Sequence, residues 1–193
     1  MTRQVITFPV VTCLFLFFFS IFLTSFPLKA DQNDPRLEEL FNLLRAEEDS
    51  FRANDIANRI WSVWTEHEDS RANTLMMQGI ARMNAGDLFG ALDTYDALIA
   101  LQPDFAEAWN KRATLYWQLD QFDASLKDIE QVLRLEPFHF GALSGRGLVY
   151  MERGNYLQAR GAFLTLLEVY PAMPGVRETV QQLERVLQKG IPQ

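Results

Sequence analysis

Sliding the sequence against itself by 34 residues brings Pro103, Pro137 and Pro171 into line. The same shift aligns Gly79 with Ala113 and Gly147, Ala91 with Ser125 and Ala159, Tyr95 with Ile129 and Phe163, and Leu75 with Trp109 and Leu143. Leu88, Phe122 and Tyr156 fall together, as do Gly86, Asp120 and Gly154, with no insertion anywhere in the register. A repeat of this length limits the fold severely. Each unit is one supersecondary element that cannot bury its own apolar face, so the units must stack.

The period inside the unit says what the element is. Trp109, Ala113 and Tyr116 are spaced i, i+4 and i+7, one face of an α-helix, and Trp117 lies one step round toward its flank. A second series, Phe122, Leu126, Ile129 and Leu133, has the same period, and Pro137 stops it. Each unit is therefore a helix, a tight turn and a second helix. The aligned glycines, alanines and serine fall where the two helices must cross closely. Gly86 and Gly154 accept a left-handed turn conformation cheaply, and Asp120 tolerates it.

These residues resemble the tetratricopeptide repeat, whose pattern is W-x2-L-G-x2-Y…A-x3-F…P. Trp109, Ala113, Tyr116, Ser125, Ile129 and Pro137 carry it in the middle unit, and Gly147, Tyr150, Ala159, Phe163 and Pro171 in the last. The first unit departs most, with Arg82 where an aromatic is usual. The resemblance implies an all-α, right-handed α-solenoid with repeats at 72–105, 106–139 and 140–173. The same register places Ala57 at a small position, Trp61 at an aromatic one and Leu40-Phe41 near a helix start, so 31–71 is predicted as an N-terminal helical pair and 38–71 as a degenerate fourth repeat. Asp34 before Pro35 reads as an N-cap with proline at the first helical position. Val176, Val180, Leu183 and Leu187 make one face of a capping helix, so 174–193 is that helix and a tail.

The first thirty residues are a different material. Arg3 and Lys29 bracket an uncharged stretch dense in phenylalanine, and Ala30 is a small residue at its end. This reads as a secretory signal peptide over 1–30, cut after Ala30, although Leu28 sits where a smaller residue is preferred. The rival reading is an uncleaved anchor, because Gln4 to Leu28 is long enough to span a bilayer. Either way the remainder crosses the inner membrane and is expected in the periplasm, free or anchored. Cys13, the one cysteine, lies inside this segment, and its context VVTC lacks the small residue that lipidation wants before the cysteine. The remainder can form no disulfide and must be held by packing. Removing 1–30 removes Arg3 and Lys29 and no acid, taking the formal charge from −7 to −9, which argues against nucleic acid or an anionic membrane as partner.

The resemblance also implies a binding surface. In the family the first helix of each repeat lines a concave groove that holds partner peptides. Positions 2, 5, 9, 12 and 13 point inward: Asn73, Met76, Ile80, Met83 and Asn84; Glu107, Asn110, Thr114, Trp117 and Gln118; Gly141, Ser144, Leu148, Met151 and Glu152. The expected partner-binding set is Met76, Ile80, Met83, Asn110, Thr114, Trp117, Leu148 and Met151. Trp117 is the candidate anchor, with the methionines as an adaptable apolar patch around it, and Trp109 is read as packing. Repeat proteins that grip a terminal carboxylate use lysine, asparagine and arginine there. Only Asn110 answers that pattern, so a carboxylate clamp is not expected, and Lys111, Arg112 and Arg146 read as flanking charges. His67 and His139 fall at unit boundaries and read as caps or surface residues. No nucleophile, base or metal set converges, so no enzyme, cofactor or metal is expected. The function expected is a periplasmic adaptor holding a peptide or helix of a cell-envelope protein. The alternative is a self-assembling scaffold or membrane-anchored assembly factor, with the stack end or the Trp61–Trp64 region making a homo-oligomer.

Overall fold

Helix α1 (Pro35–Ala46) starts as its sequence dictates: the Asp34 carboxylate accepts the Arg36 amide N–H at 2.9 Å, and Pro35 takes the first turn, where no donor is needed. The same device starts α2 (Ser50–Thr65), α3 (Ser70–Asn84) and α4 (Leu88–Leu101), capped by Asp49, Asp69 and Asp87. The chain continues through α5 (Ala106–Gln118), α6 (Phe122–Leu135), α7 (Phe140–Glu152), α8 (Tyr156–Val169) and α9 (Val176–Gln188). The computed structural model describes residues 34–190, which hold nine helices and no strand. The signal or anchor expected at 1–30, with its cleavage site and Cys13, lies outside the described residues. Among those described, no helix is long and apolar enough to cross a membrane.

Helices α3–α4, α5–α6 and α7–α8 are the three repeat hairpins, each packed on the next. Their turns are left-handed at Gly86 (φ 75°), Asp120 (φ 57°) and Gly154 (φ 71°), as the alignment predicts. The small positions are required by contact. A Cβ on Gly79 would lie 2.5 Å from the Tyr95 ring, and one on Gly147 2.6 Å from Phe163. In the middle repeat Ala113 and Ser125 meet there, and the serine hydroxyl donates to the Ala113 carbonyl at 2.9 Å. Helix α9 covers α8 with Val176, Val180 and Leu183 buried, closing the C-terminal end.

The N-terminal pair corrects the expectation of a fourth stacked repeat. Helices α1 and α2 form, but they pack on α5, α7 and α8 instead of stacking on α3 and α4. The reason is the chemistry of the two faces on offer. The free side of α3 presents Arg71, Thr74, Gln78, Ala81 and Arg82, all exposed, with Met77 the large apolar side chain exposed among them. The α7 side offers Phe140 and Leu143, which join Leu37, Leu40, Phe41, Leu44, Ile56, Ile60, Val63 and Trp64 in one buried cluster. Gly141 completes the fit: a Cβ there would lie 2.7 Å from the Trp61 ring. Trp61 and Trp64, expected as a possible dimer surface, are engaged inside the chain, with Trp64 only 3% exposed.

Candidate functional site

Docking of the hairpin leaves a cavity of about 290 Å³ between α2, α5 and α7. Three helices each present an i, i+3, i+4, i+7 stripe to it: Asn54, Ala57, Asn58 and Trp61; Asn110, Ala113, Thr114 and Trp117; Gly141, Ser144, Gly145 and Leu148. Tyr170, Met173 and Pro174, from the α8–α9 connection, also border it. No aspartate, glutamate, lysine or arginine lines it. Among the described residues no group of three His, Cys, Asp or Glu is placed to hold a metal ion.

The eight expected site residues divide. Asn110, Thr114, Trp117 and Leu148 line this cavity together. Met76 does not: it is 2% exposed and packs with Tyr95, Phe105 and Ala108 in the core of the first repeat. Ile80 and Met83 pack on that same core, and the Tyr95 hydroxyl donates to the Met83 sulfur at 3.5 Å. Met151 packs on the cluster that holds the hairpin. The methionine patch around Trp117 is therefore not formed, because long flexible side chains at those positions fill gaps between helices. Trp109 is a packing residue, donating to the Pro103 carbonyl at 2.9 Å beneath the Arg112 guanidinium. Asn54 and Asn58 were not expected. The spacing that would have found them is the one already used on α5.

His139 is the N-cap of α7, one of its two expected roles, and is not a surface residue. It is fully buried, its Nδ1 accepts the Ala142 amide N–H at 3.1 Å, and its Nε2 lies 3.1 Å from Glu107 Oε2. Because Nδ1 accepts, the ring proton sits on Nε2 and is donated to the carboxylate. Glu107 is buried as well and is matched by the Lys111 ammonium at 2.9 Å and the Asn110 amide at 3.0 Å. Lys111 is thereby committed to a buried carboxylate and to the Trp61 face, 5.2 Å from its centroid. Arg112 is held between Asp96 and Asp128. Two of the three flanking cations, Lys111 and Arg112, are thus paired within the fold. Two buried donors of residues in the cavity lining have no partner among the described residues: the Trp117 indole N–H and the Tyr170 hydroxyl. Burial holds the Tyr170 phenol above its ordinary pKa.

The hairpin is a fixed wall of this site. Its eight large apolar residues are each no more than 9% exposed, and fully burying one such side chain contributes about 1.5–3 kcal/mol. Exposing half of that area would cost on the order of 6 kcal/mol, most of the binding free energy of a micromolar partner, about 8 kcal/mol. A ligand of ordinary affinity binds with the hairpin in place.

The tetratricopeptide repeat family model matches residues 76–124 and 110–174. A TPR repeat-containing protein of Rhizobium etli is 39% identical over 152 residues, which cover 79% of this chain and 74% of that one. The small glutamine-rich tetratricopeptide repeat-containing protein 2 of Mycosarcoma maydis is 27% identical over 108 residues, 56% of this chain but 31% of that one. Among solved structures, the first TPR of Spaghetti bound to the HSP90 peptide SRMEEVD superposes with a TM-score of 0.59 at 21% identity, covering 62% of this chain and 96% of that one. The type III secretion translocator chaperone SycD of Yersinia enterocolitica superposes with a TM-score of 0.58 at 12% identity, covering 64% and 98%. At such identities the structures share the fold alone.

Proposed function

The chain belongs to the tetratricopeptide repeat family, and from that premise we propose that it is a non-catalytic protein-interaction module that holds an extended segment of a cell-envelope protein in the cavity between α2, α5 and α7. The observation that carries this reading is the convergence of Asn110, Thr114, Trp117 and Leu148 on one cavity. Trp117 and Leu148 serve as apolar anchors, and aromatic residues in enclosed pockets dominate binding energy. An acidic peptide such as the SRMEEVD held by the Spaghetti domain would find no cation in this lining to answer its charge.

Residues 1–30 support a periplasmic site of action, with the segment either removed after Ala30 or kept as an anchor. Self-assembly is the second reading. What favours it is Met77 and Phe89, 67% and 71% exposed at the uncapped first repeat. A mass that doubles in sedimentation, and reverts in a Met77→Ser, Phe89→Ser variant, would favour it over the adaptor.

The direct test places a photo-crosslinking amino acid at Thr114 in the native host, identifies the product by mass spectrometry and reads the N-terminus from the same sample. One dominant envelope protein is expected. The double variant Trp117→Ala, Leu148→Ala should lose it without loss of helicity, and retention of that partner by the double variant would remove the groove assignment.

A further inference from the structure

The stripe that α2 turns to the cavity repeats the stripe on α5. Helix α2 presents Asn54, Ala57, Asn58 and Trp61, and α5 presents Asn110, Ala113, Thr114 and Trp117. The spacing is the same, three of the four residue types are the same, and the fourth position is a neutral hydrogen-bonding residue in both. The two stripes are 56 residues apart, outside the 34-residue register, so repeat alignment does not reveal the match. Asn54 and Asn58 are exposed, and neither side-chain amide has a hydrogen-bond partner among the described residues. On α2, then, both asparagines are available, whereas on α5 Asn110 already gives one N–H to Glu107 and Thr114 gives its hydroxyl to the Asn110 carbonyl.

We propose that α2 is half of a composite ligand site, in which Asn54 and Asn58 hold the main-chain amide groups of an uncharged extended segment whose apolar side chain rests on Trp117 and Leu148. This rests on the reading above and adds the ligand's chemistry to it. A side-chain amide both donates and accepts, so two of them one helical turn apart match the alternating N–H and C=O groups of an extended peptide. A lining with no ionised group desolvates a charge without replacing its water, whereas a neutral amide keeps its hydrogen bonds.

The test uses the full chain, expressed with its own N-terminal segment and isotope-labelled, with N-acetyl-leucine N′-methylamide as the probe and N-acetyl-leucine carboxylate as its charged counterpart. The neutral probe should shift the side-chain amide signals of Asn54 and Asn58 together with the Trp117 indole signal. In the Asn54→Ala, Asn58→Ala variant its affinity should fall about tenfold, the equivalent of two lost hydrogen bonds, with helicity unchanged because both positions are exposed. The carboxylate should bind more weakly by a similar factor. Shifts confined to α5 and α7, equal binding by the double variant, preference for the carboxylate, or no shift at all would each overturn the proposal. If the double variant keeps the crosslinked envelope partner while Trp117→Ala, Leu148→Ala loses it, the proposed function stands and only the composite site fails.

Discussion

Trp64 of α2 stacks on His139 at the start of α7, with ring centroids 4.0 Å apart and planes 8° from parallel. His139 is at once the N-cap of the third repeat, the neighbour of the buried Glu107 and the platform for the hairpin. His139→Ala should therefore cost about 3 kcal/mol, adding a lost cap, a lost ring stack and the loss of one of the three donors to the buried Glu107 carboxylate. Urea unfolding reads the loss, and near-ultraviolet circular dichroism reads the release of the tryptophans. An unchanged midpoint would mean that the hairpin docks independently of this contact.

Three glycines in helices should respond differently to alanine. Gly147→Ala drives a methyl into the Phe163 ring and should cost about 2 kcal/mol through overpacking. Gly141→Ala meets the Trp61 ring and should loosen the hairpin, seen as faster amide exchange in α2. Gly161 has open space around it in α8, so Gly161→Ala should stabilise by about 0.5–1 kcal/mol through helix propensity. Equal effects at all three would contradict the packing described.

The repeats were legible because their constraints are local. A 34-residue period, one left-handed turn residue and two small crossing positions are fixed within each hairpin, and each recurs. The place of α1–α2 was not legible for the opposite reason. Its register agrees with a stacked repeat, but where a hairpin docks depends on which distant face offers more apolar area, and Phe140, Gly141 and His139 lie outside any pattern that Trp61 and Trp64 carry. The site was read in part. Asn110, Thr114, Trp117 and Leu148 follow from helical spacing, whereas Met76 and Met83 were drawn inward by Tyr95 and Phe105, contacts that single-helix geometry does not contain.

That division has a measurable consequence. Met76→Ala removes a side chain from a closed core and should cost about 3 kcal/mol of stability, with partner affinity unchanged at a temperature where the protein stays folded. Trp117 packs on the core between α5, α6 and α7 and also lines the cavity, so Trp117→Ala should lower the denaturation midpoint and, unlike the methionine variant, also lose at least tenfold in partner binding. Calorimetry paired with a binding titration separates the two. Loss of binding in the methionine variant while it remains folded would restore Met76 to the groove.

Alkaline titration provides the last test. Tyr95 and Tyr170 both have phenols raised above the ordinary value, Tyr95 by burial and then by the Glu107 charge, Tyr170 by burial. A group whose pKa is higher in the folded state favours folding while it stays protonated. Its contribution is complete below the unfolded phenol pKa of about 10 and is lost as pH rises above that value. Of the five tyrosines, these two, together with Tyr116, which burial also raises, should withhold their tyrosinate absorbance past the ordinary range and release it together with helix loss. Tyr170→Phe separates the causes, because the hydroxyl it removes has no partner. The variant should keep or slightly raise the neutral-pH midpoint and shift alkaline unfolding to higher pH, while Tyr95→Phe loses the contact with the Met83 sulfur. Normal ionisation of every tyrosine in the folded protein would contradict the burial on which both the core and the cavity lining depend.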